Sequence, residues 1–379
     1  MSWTTNNSTI IFDSEFNDEL NIKLISDYKI IIFSDYVLSE KIIFAYSKLN
    51  EESLKNYEMR EYNYLPEYKK SKFNHNVSEL PPNITHLMFG WNFNKNVSIL
   101  SSNLTHLIFG YSFNKNVSNL PSTLTHLTFG DSFNQDVSAL PQTLTHLILG
   151  HIFNKNVSNL PSTLIHLTFD YAFNQDVSSL PSNITHLKMS YWFNQDVSSL
   201  PSNLTHLTFD AMFNRDISNL PQGITNLTFI YYSIFNQDIS KLPHSLTHLV
   251  LGRSFNQQCV IPPNIKYLKL NCNNQYVIDH LPNSITELEL DLNFNLEINN
   301  LPTSIKILRI DRSSNYNMDL NCLPDFIEEL QLNSKYTKRI LRIPSKLKKI
   351  KFGFHYKYRD DFSMCESIRN TQIRYEDEI

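Results

Sequence analysis

From residue 71 to residue 230, hydrophobic and polar positions follow one 20-residue pattern eight times, without insertion or deletion. One copy, from residue 191, reads YWFNQDVSSLPSNLTHLTFD. Phe recurs at 73, 93, 113, 133, 153, 173, 193 and 213, Asn follows each, and Val or Ile stands four residues after each. Self-similarity at such a period marks a solenoid, in which each coil adds its own slice of core. The alternation in LTHLxF predicts a short strand, with Leu87 and Phe89 facing in and His86, Met88 and Gly90 facing out. Ile84, just upstream, also points in. Stacked coil on coil, these segments predict a mainly β solenoid: a right-handed coil with one short parallel strand per ~20 residues, strands about 4.8 Å apart. The return segment FNxxVSxLP is too short for a regular helix. Phe93 and Val97 fill the core, Leu100 packs beneath the strand, and the Asn and Asp side chains predict Asx-type bonds to neighbouring backbone.

Beyond residue 230 the period loosens, yet inward triplets persist at Ile265/Leu268/Leu270, Ile285/Leu288/Leu290, Ile305/Leu308/Ile310, Ile327/Leu330/Leu332 and Leu347/Ile350/Phe352. Strand motifs from Ile84 to Leu347 number 14, so residues 71–352 predict a solenoid of about 14 coils. Residues 1–70 lack the repeat and are expected to form an N-terminal cap, since a bare terminal coil would expose its core. Ile30 to Phe33 predict one degenerate coil, and the spacing in Ser39 to Leu49 and in Asn50 to Tyr62 predicts one or two short helices. Residues 353–379 are expected to be the second cap.

These positions resemble a named family. Phe-Asn-(Gln/Lys)-x-(Val/Ile)-Ser-x-Leu-Pro-x-x-(Leu/Ile)-Thr-His-Leu is similar to the FNIP repeat, a short leucine-rich-repeat variant found in proteins of amoebae and of the large DNA viruses that infect them. Departures are local: Ser101 replaces Pro, Ile165 replaces Thr, and Asn226 replaces His. The resemblance implies a leucine-rich-repeat-like (LRR-like) horseshoe used for protein binding, sometimes behind an F-box, and no catalytic residue or cofactor.

Composition narrows the function classes. A net charge of -4 argues against a general polyanion binder, and the run Lys335 to Lys357 is interrupted by acidic rows, which argues against nucleic acid. Cys259, Cys272, Cys322 and Cys365 make neither CxxC nor a zinc spacing and predict packing residues in a reducing compartment. With no basic leader and no long apolar run, the expectation is an intracellular, cytoplasmic protein away from membranes, in the host cytoplasm if the source is viral. The N-x-S/T sequons, such as Asn83 and Asn96, place residues meant for the core in their middle and are by-products of the repeat.

The candidate site residues lie on outward strand and turn positions. His86, His106, His126, His146, His166, His186 and His206 form one column, with His248 after a gap. Three readings apply: stacked neutral imidazoles bonded to Thr or backbone, a pH-sensitive surface, or a metal ladder, the last lacking a matching acidic or thiolate column. The first predicts falling stability below about pH 6. Where the copies disagree, Met88, Ile108, Trp91, Tyr111, His151, Tyr171, Tyr191 and Trp192 offer either recognition contacts or packing over the coil edge. In the C-terminal coils Lys269, Glu287, Glu289, Arg309, Glu329, Lys349 and Lys351 predict lateral ion pairs.

The expectation is a non-enzymatic interaction scaffold that binds a protein partner through a concave parallel sheet, with no cofactor, metal or small-molecule ligand. No Ser/His/Asp set, carboxylate pair or phosphate-binding loop is present, and only 7 Gly are available to build one. Two other readings stand beside it: a ubiquitin-ligase adaptor through a degenerate F-box-like segment in residues 1–65, and a structural protein without a specific partner.

Overall fold

A computed structural model describes residues 3–6, 8–35, 69–77, 80–353, 355–363 and 373–375. The chain divides into two compact units, residues 1–193 and 194–379. Each is a parallel β-solenoid of the expected kind.

In the first unit β1 (Trp3–Asn6) runs antiparallel to β2 (Thr9–Phe12). From β2 onward every pairing is parallel, through β3 (Ile30–Phe33), β4 (His86–Met88), β5 (His106–Ile108), β6 (His126–Thr128), β7 (His146–Leu149), β8 (His166–Phe169) and β9 (His186–Lys188). The register follows the repeat: His86 pairs with His106, His106 with His126, and so on. The degenerate coil at Ile30 has a second one before it, at Thr9, with α1 (Ile22–Ile25) on the return between them. The helices expected between residues 39 and 62 lie outside the described residues, as does the adaptor segment beyond Asp35.

The second unit continues the scheme in β10 (His206–Phe209), β11 (Asn226–Phe229), β12 (His248–Leu251), β13 (Tyr267–Leu270), β14 (Glu287–Leu290), β15 (Ile307–Ile310), β16 (Glu329–Gln331), β17 (Lys349–Phe352) and β18 (Ile373–Tyr375), all parallel. Where Phe-Asn is lost, α2 (Gln275–Asp279) takes the return, N-capped by Asn274 and burying Val277 and Ile278 in place of the missing Phe and Val. A last short helix, α3 (Asp360–Ser363), follows β17. Among the described residues no helix is long and apolar enough to cross a membrane.

Each fixed column has a structural task. In most of the regular coils two phenylalanines meet in the core, as Phe89 and Phe93 do at 3.6 Å between ring centroids, and Phe93 stacks on Phe113 of the next coil at 6.2 Å, while Leu149 and Met189 take the first place in two coils. All are essentially without solvent contact, and burying each stabilises the fold by roughly 1.5–3 kcal/mol. The Asn after each Phe builds a second ladder: its Oδ1 accepts the backbone N–H of the Asn one coil on, from Asn74 to Asn94 at 2.9 Å, Asn94 to Asn114 at 3.0 Å and Asn114 to Asn134 at 3.1 Å. That bond satisfies a backbone donor on the return side, where no strand does so. The Asp three residues after Phe acts within its own coil, Asp136 Oδ1 accepting from Ser138 N at 3.0 Å. Leu-Pro ends in a tight turn, the Pro121 carbonyl accepting from Leu124 N at 3.2 Å. At Gly110, Gly130 and Gly150 the coils approach so closely that a Cβ would lie within 2.2 Å of the preceding glycine's carbonyl oxygen, which explains glycine at these places.

Candidate functional site

The histidine column is a continuous stack in the first unit. Ring centroids of His86, His106, His126, His146, His166 and His186 succeed one another at 4.2, 4.2, 4.1, 4.3 and 4.2 Å, with planes within 23° of parallel. The Thr before the histidine holds the ring, Thr105 Oγ1 lying 2.9 Å from His106 Nδ1 and 3.1 Å from the Thr85 carbonyl of the preceding coil. The same pair of contacts recurs at Thr125 and Thr145. A carbonyl can only accept, so the hydroxyl proton goes to it and Nδ1–H donates to Oγ1. That assigns one tautomer, with the Nε2 lone pairs side by side. Parallel lone pairs on parallel rings do not converge on one point, so this geometry does not form a metal site. In the second unit His206 is exposed, and its pKa is lowered by partial burial first and by the charge of His248 second. Asn226 stands between them and accepts from Thr225 Oγ1 at 2.8 Å.

The neighbouring outward row corrects an expectation. Met88 and Ile108 were assigned to a solvent-facing surface by alternation, but they are 6% and 8% exposed. They continue an apolar row from Ile32, in register on adjacent strands, and the row is withdrawn from water. From Thr128 onward, through Ile148, Thr168 and Lys188, it is half-buried.

The turn after each strand carries the aromatic column, and its rings also stack. Trp91 and Tyr111 lie 4.1 Å apart at 4°, His151 and Tyr171 4.1 Å apart at 8°, and Tyr171 and Tyr191 4.8 Å apart at 20°, with Asp131 interrupting. Lys70 Nζ sits 4.0 Å over the Trp91 ring. Ring faces used in this way present only edges and hydroxyls to a partner. Trp192 differs: it stands at 89° to Tyr171 and 71° to Tyr191, and 46% of it is exposed. Tyr111 and Ile152 are the other exposed members, at 41% and 45%. His151 Nδ1 is 3.8 Å from Asp170 Oδ2, an ion pair only when the imidazole is protonated.

Two residues escaped the periodic reading. Asp35 Oδ1 accepts the backbone N–H groups of Ser71, at 2.9 Å, and Trp91, at 2.7 Å, clamping the Ile30 coil to the coil 56 residues later. Burial pushes its carboxyl up to about 6, while the two amide bonds act in the opposite direction. Aligning Phe33 with Phe89 places Asp35 in the Trp91 column, a signal hidden by the break in the period. The other is Tyr232, 58% exposed, with Arg253 5.0 Å over its ring.

The strand face of the second unit is an ion-pair lattice. Lys269 meets Glu289 at 2.6 Å, Arg309 bridges Glu287 and Glu329, and Lys349 meets Glu329 at 3.0 Å. Half-buried lateral pairs of this kind contribute about 0.2–1 kcal/mol each and chiefly fix register. Among the described residues no three His, Cys, Asp or Glu side chains gather as a metal site.

Short parallel strands, one per coil, with a leucine at the central inward position of β4 to β16, define a leucine-rich-repeat type of solenoid. The crystal structure of CroV588, a circular LRR protein of a giant virus, is similar over 100% of this chain and 71% of its own, at 26% identity and a TM-score of 0.61. The functional domain of InlJ from Listeria monocytogenes, which includes a cysteine ladder, matches 79% of this chain and 64% of its own at 15% identity and a TM-score of 0.44. No curated protein matches. The FNIP repeat matches residues 97–127, 116–151, 153–192, 193–232, 235–273, 258–292, 273–313 and 315–355, and the chain belongs to that family.

Proposed function

We propose that this chain is a non-enzymatic scaffold that binds a protein partner through the first unit, on its half-buried strand face and the adjoining aromatic turns. LRR-like folds commonly serve protein interaction and are generally not catalysts. The observation that carries the reading is the contrast between columns. Phe, Asn, Pro and Gly are consumed in stacking coils, whereas Trp192, Ile152 and Tyr111 vary between copies and remain exposed on one row of turns. Large apolar side chains left in water beside a rigid scaffold are the anchors that interfaces use. The ion-pair lattice of the second unit, by contrast, already satisfies its own charges.

The test is affinity capture on the full chain from its source cells, comparing wild type with Tyr111→Ala/Trp192→Ala. The expected result is at least one protein captured by wild type and lost in the double variant, with unchanged unfolding midpoint. Equal capture by both would remove the aromatic turns from the interface.

A further inference from the structure

Ring faces in the turn rows of this protein attract cations. Lys70 covers Trp91 at 4.0 Å and Arg253 covers Tyr232 at 5.0 Å. Trp192 occupies the place in its coil that Tyr232 occupies in its own, five residues after the inward leucine of the strand, Leu187 and Leu227 respectively. Yet among the described residues no cationic side chain lies over Trp192, which is the more notable because its ring is turned out of the Tyr171–Tyr191 stack and 46% exposed. The turn that precedes it bears a carboxylate, Asp170. The turns of the three preceding coils carry Asp131 and Asp170, and none of the four turns from Gly130 to Trp192 carries Lys or Arg. Lys188 belongs to the strand of the same coil, not to the turn. Asp170 is tied to the Trp192 coil, its carbonyl accepting from Tyr191 N at 3.0 Å.

We infer that Trp192, with Asp170 in the turn of the preceding coil, receives an arginine or lysine side chain from the partner, doing between molecules what Lys70 and Arg253 do within this one. An indole is the strongest of the aromatic faces for a cation, and an acidic group in the preceding turn adds attraction that salt screens. The inference rests on the proposed binding surface and adds the chemistry of the partner: a basic, arginine-bearing segment.

The experiment follows the three indole N–H signals of the full chain by NMR, since Trp3, Trp91 and Trp192 are its only tryptophans. The probe is the peptide acetyl-Gly-Arg-Gly-Arg-Gly-Arg-amide, with the Gln-for-Arg peptide as control. The expected result is a saturable shift of the Trp192 signal by the Arg peptide alone, weakened about threefold to tenfold in Trp192→Leu when affinity is read by calorimetry, and largely restored in Trp192→Tyr. Asp170→Asn should weaken binding by a smaller factor and reduce its salt dependence. Equal shifts from both peptides, or equal affinity in Trp192→Leu, would overturn the cation assignment. If that occurs while the double variant still loses its captured partner, the surface stands and only its cation chemistry falls. If the Arg peptide binds Trp192 but capture is unaffected by the double variant, the cation site stands and the surface reading falls.

Discussion

Acidification tests the histidine stack most directly. Six imidazoles stand 4.1 to 4.3 Å apart in the first unit, and the facing outward row of those coils supplies Lys188 and no carboxylate. Two unit charges about 4 Å apart repel by about 1 kcal/mol in bulk water and about 4 kcal/mol at the effective dielectric near a protein surface. Charging neighbouring rungs together is therefore opposed in the folded stack, whereas histidines of the unfolded chain titrate independently near 6.5. Between pH 6 and 5 the unfolded state then binds more protons. Stability is full above about pH 6.5 and falls as pH drops, by about 1.4 kcal/mol per pH unit for each proton by which the states differ. The assay is the urea midpoint at pH 7.5, 6.5 and 5.5 for wild type and for His126→Asn/His166→Asn. Asn is the residue the chain itself uses at position 226, where its Oδ1 accepts from Thr225 Oγ1 at 2.8 Å. Of these six, the double variant leaves only His86 and His106 adjacent, so its midpoint should fall less on acidification. A wild-type midpoint that does not move between pH 7.5 and 5.5, or a variant as acid-sensitive as wild type, refutes the repulsion argument.

Three further outcomes are expected. Gly130→Ala should lower the urea midpoint by an amount equivalent to roughly 1–3 kcal/mol or more, because its Cβ would lie 2.1 Å from the Gly110 carbonyl oxygen, while Gly223→Ala, whose nearest neighbour is 3.3 Å away, should cost clearly less. The Tyr316 hydroxyl is buried with no partner among the described residues, so Tyr316→Phe should leave thermal stability equal or raised by about 1 kcal/mol; Tyr336→Phe should lower it by a similar amount, since the Tyr336 hydroxyl donates to the Met318 carbonyl at 3.0 Å. Asp35→Asn keeps the acceptor for Ser71 and Trp91 and removes a half-buried charge whose pKa is raised to about 6. A raised carboxyl pKa makes the folded state lose stability as pH rises from about 4 through 6, so the variant should gain on the order of 1 kcal/mol at pH 7.5 and nothing at pH 4 in chemical unfolding.

The fold was legible because every coil repeats the same instruction. Leu and Phe at alternating positions set the strand and its inward face, and a strict 20-residue period sets the register from His86 to His186 without any long-range signal. The two places where the repeat stops being literal were harder. The coil at Thr9 carries Phe16-Asn17 four residues after Phe12, but no Leu-Pro follows and the next coil, at Ile30, lacks Phe-Asn at that spacing, and α2 replaces the Phe-Asn return with Val277 and Ile278, the same burial by different local geometry.

The columns of the candidate site were legible in the sequence, and their exposure was not. Alternation alone tells which side of a strand a residue takes, and for Met88, Ile108, Trp91 and Tyr191 it left recognition contact and packing over the coil edge both open. Exposure depends on what stands beside a residue one coil away. In-register neighbours at about 4 Å turn aromatic faces toward each other, close Trp91 beneath Lys70, and leave Trp192 as the ring that breaks from the stack. The sequence by itself determined the coil, the core and the column each residue occupies, because those follow from local periodicity. Only the tertiary structure decided which columns are spent on stacking and which face water, and it joined Asp35 to Trp91, because both depend on lateral contacts between segments that no period along the chain encodes.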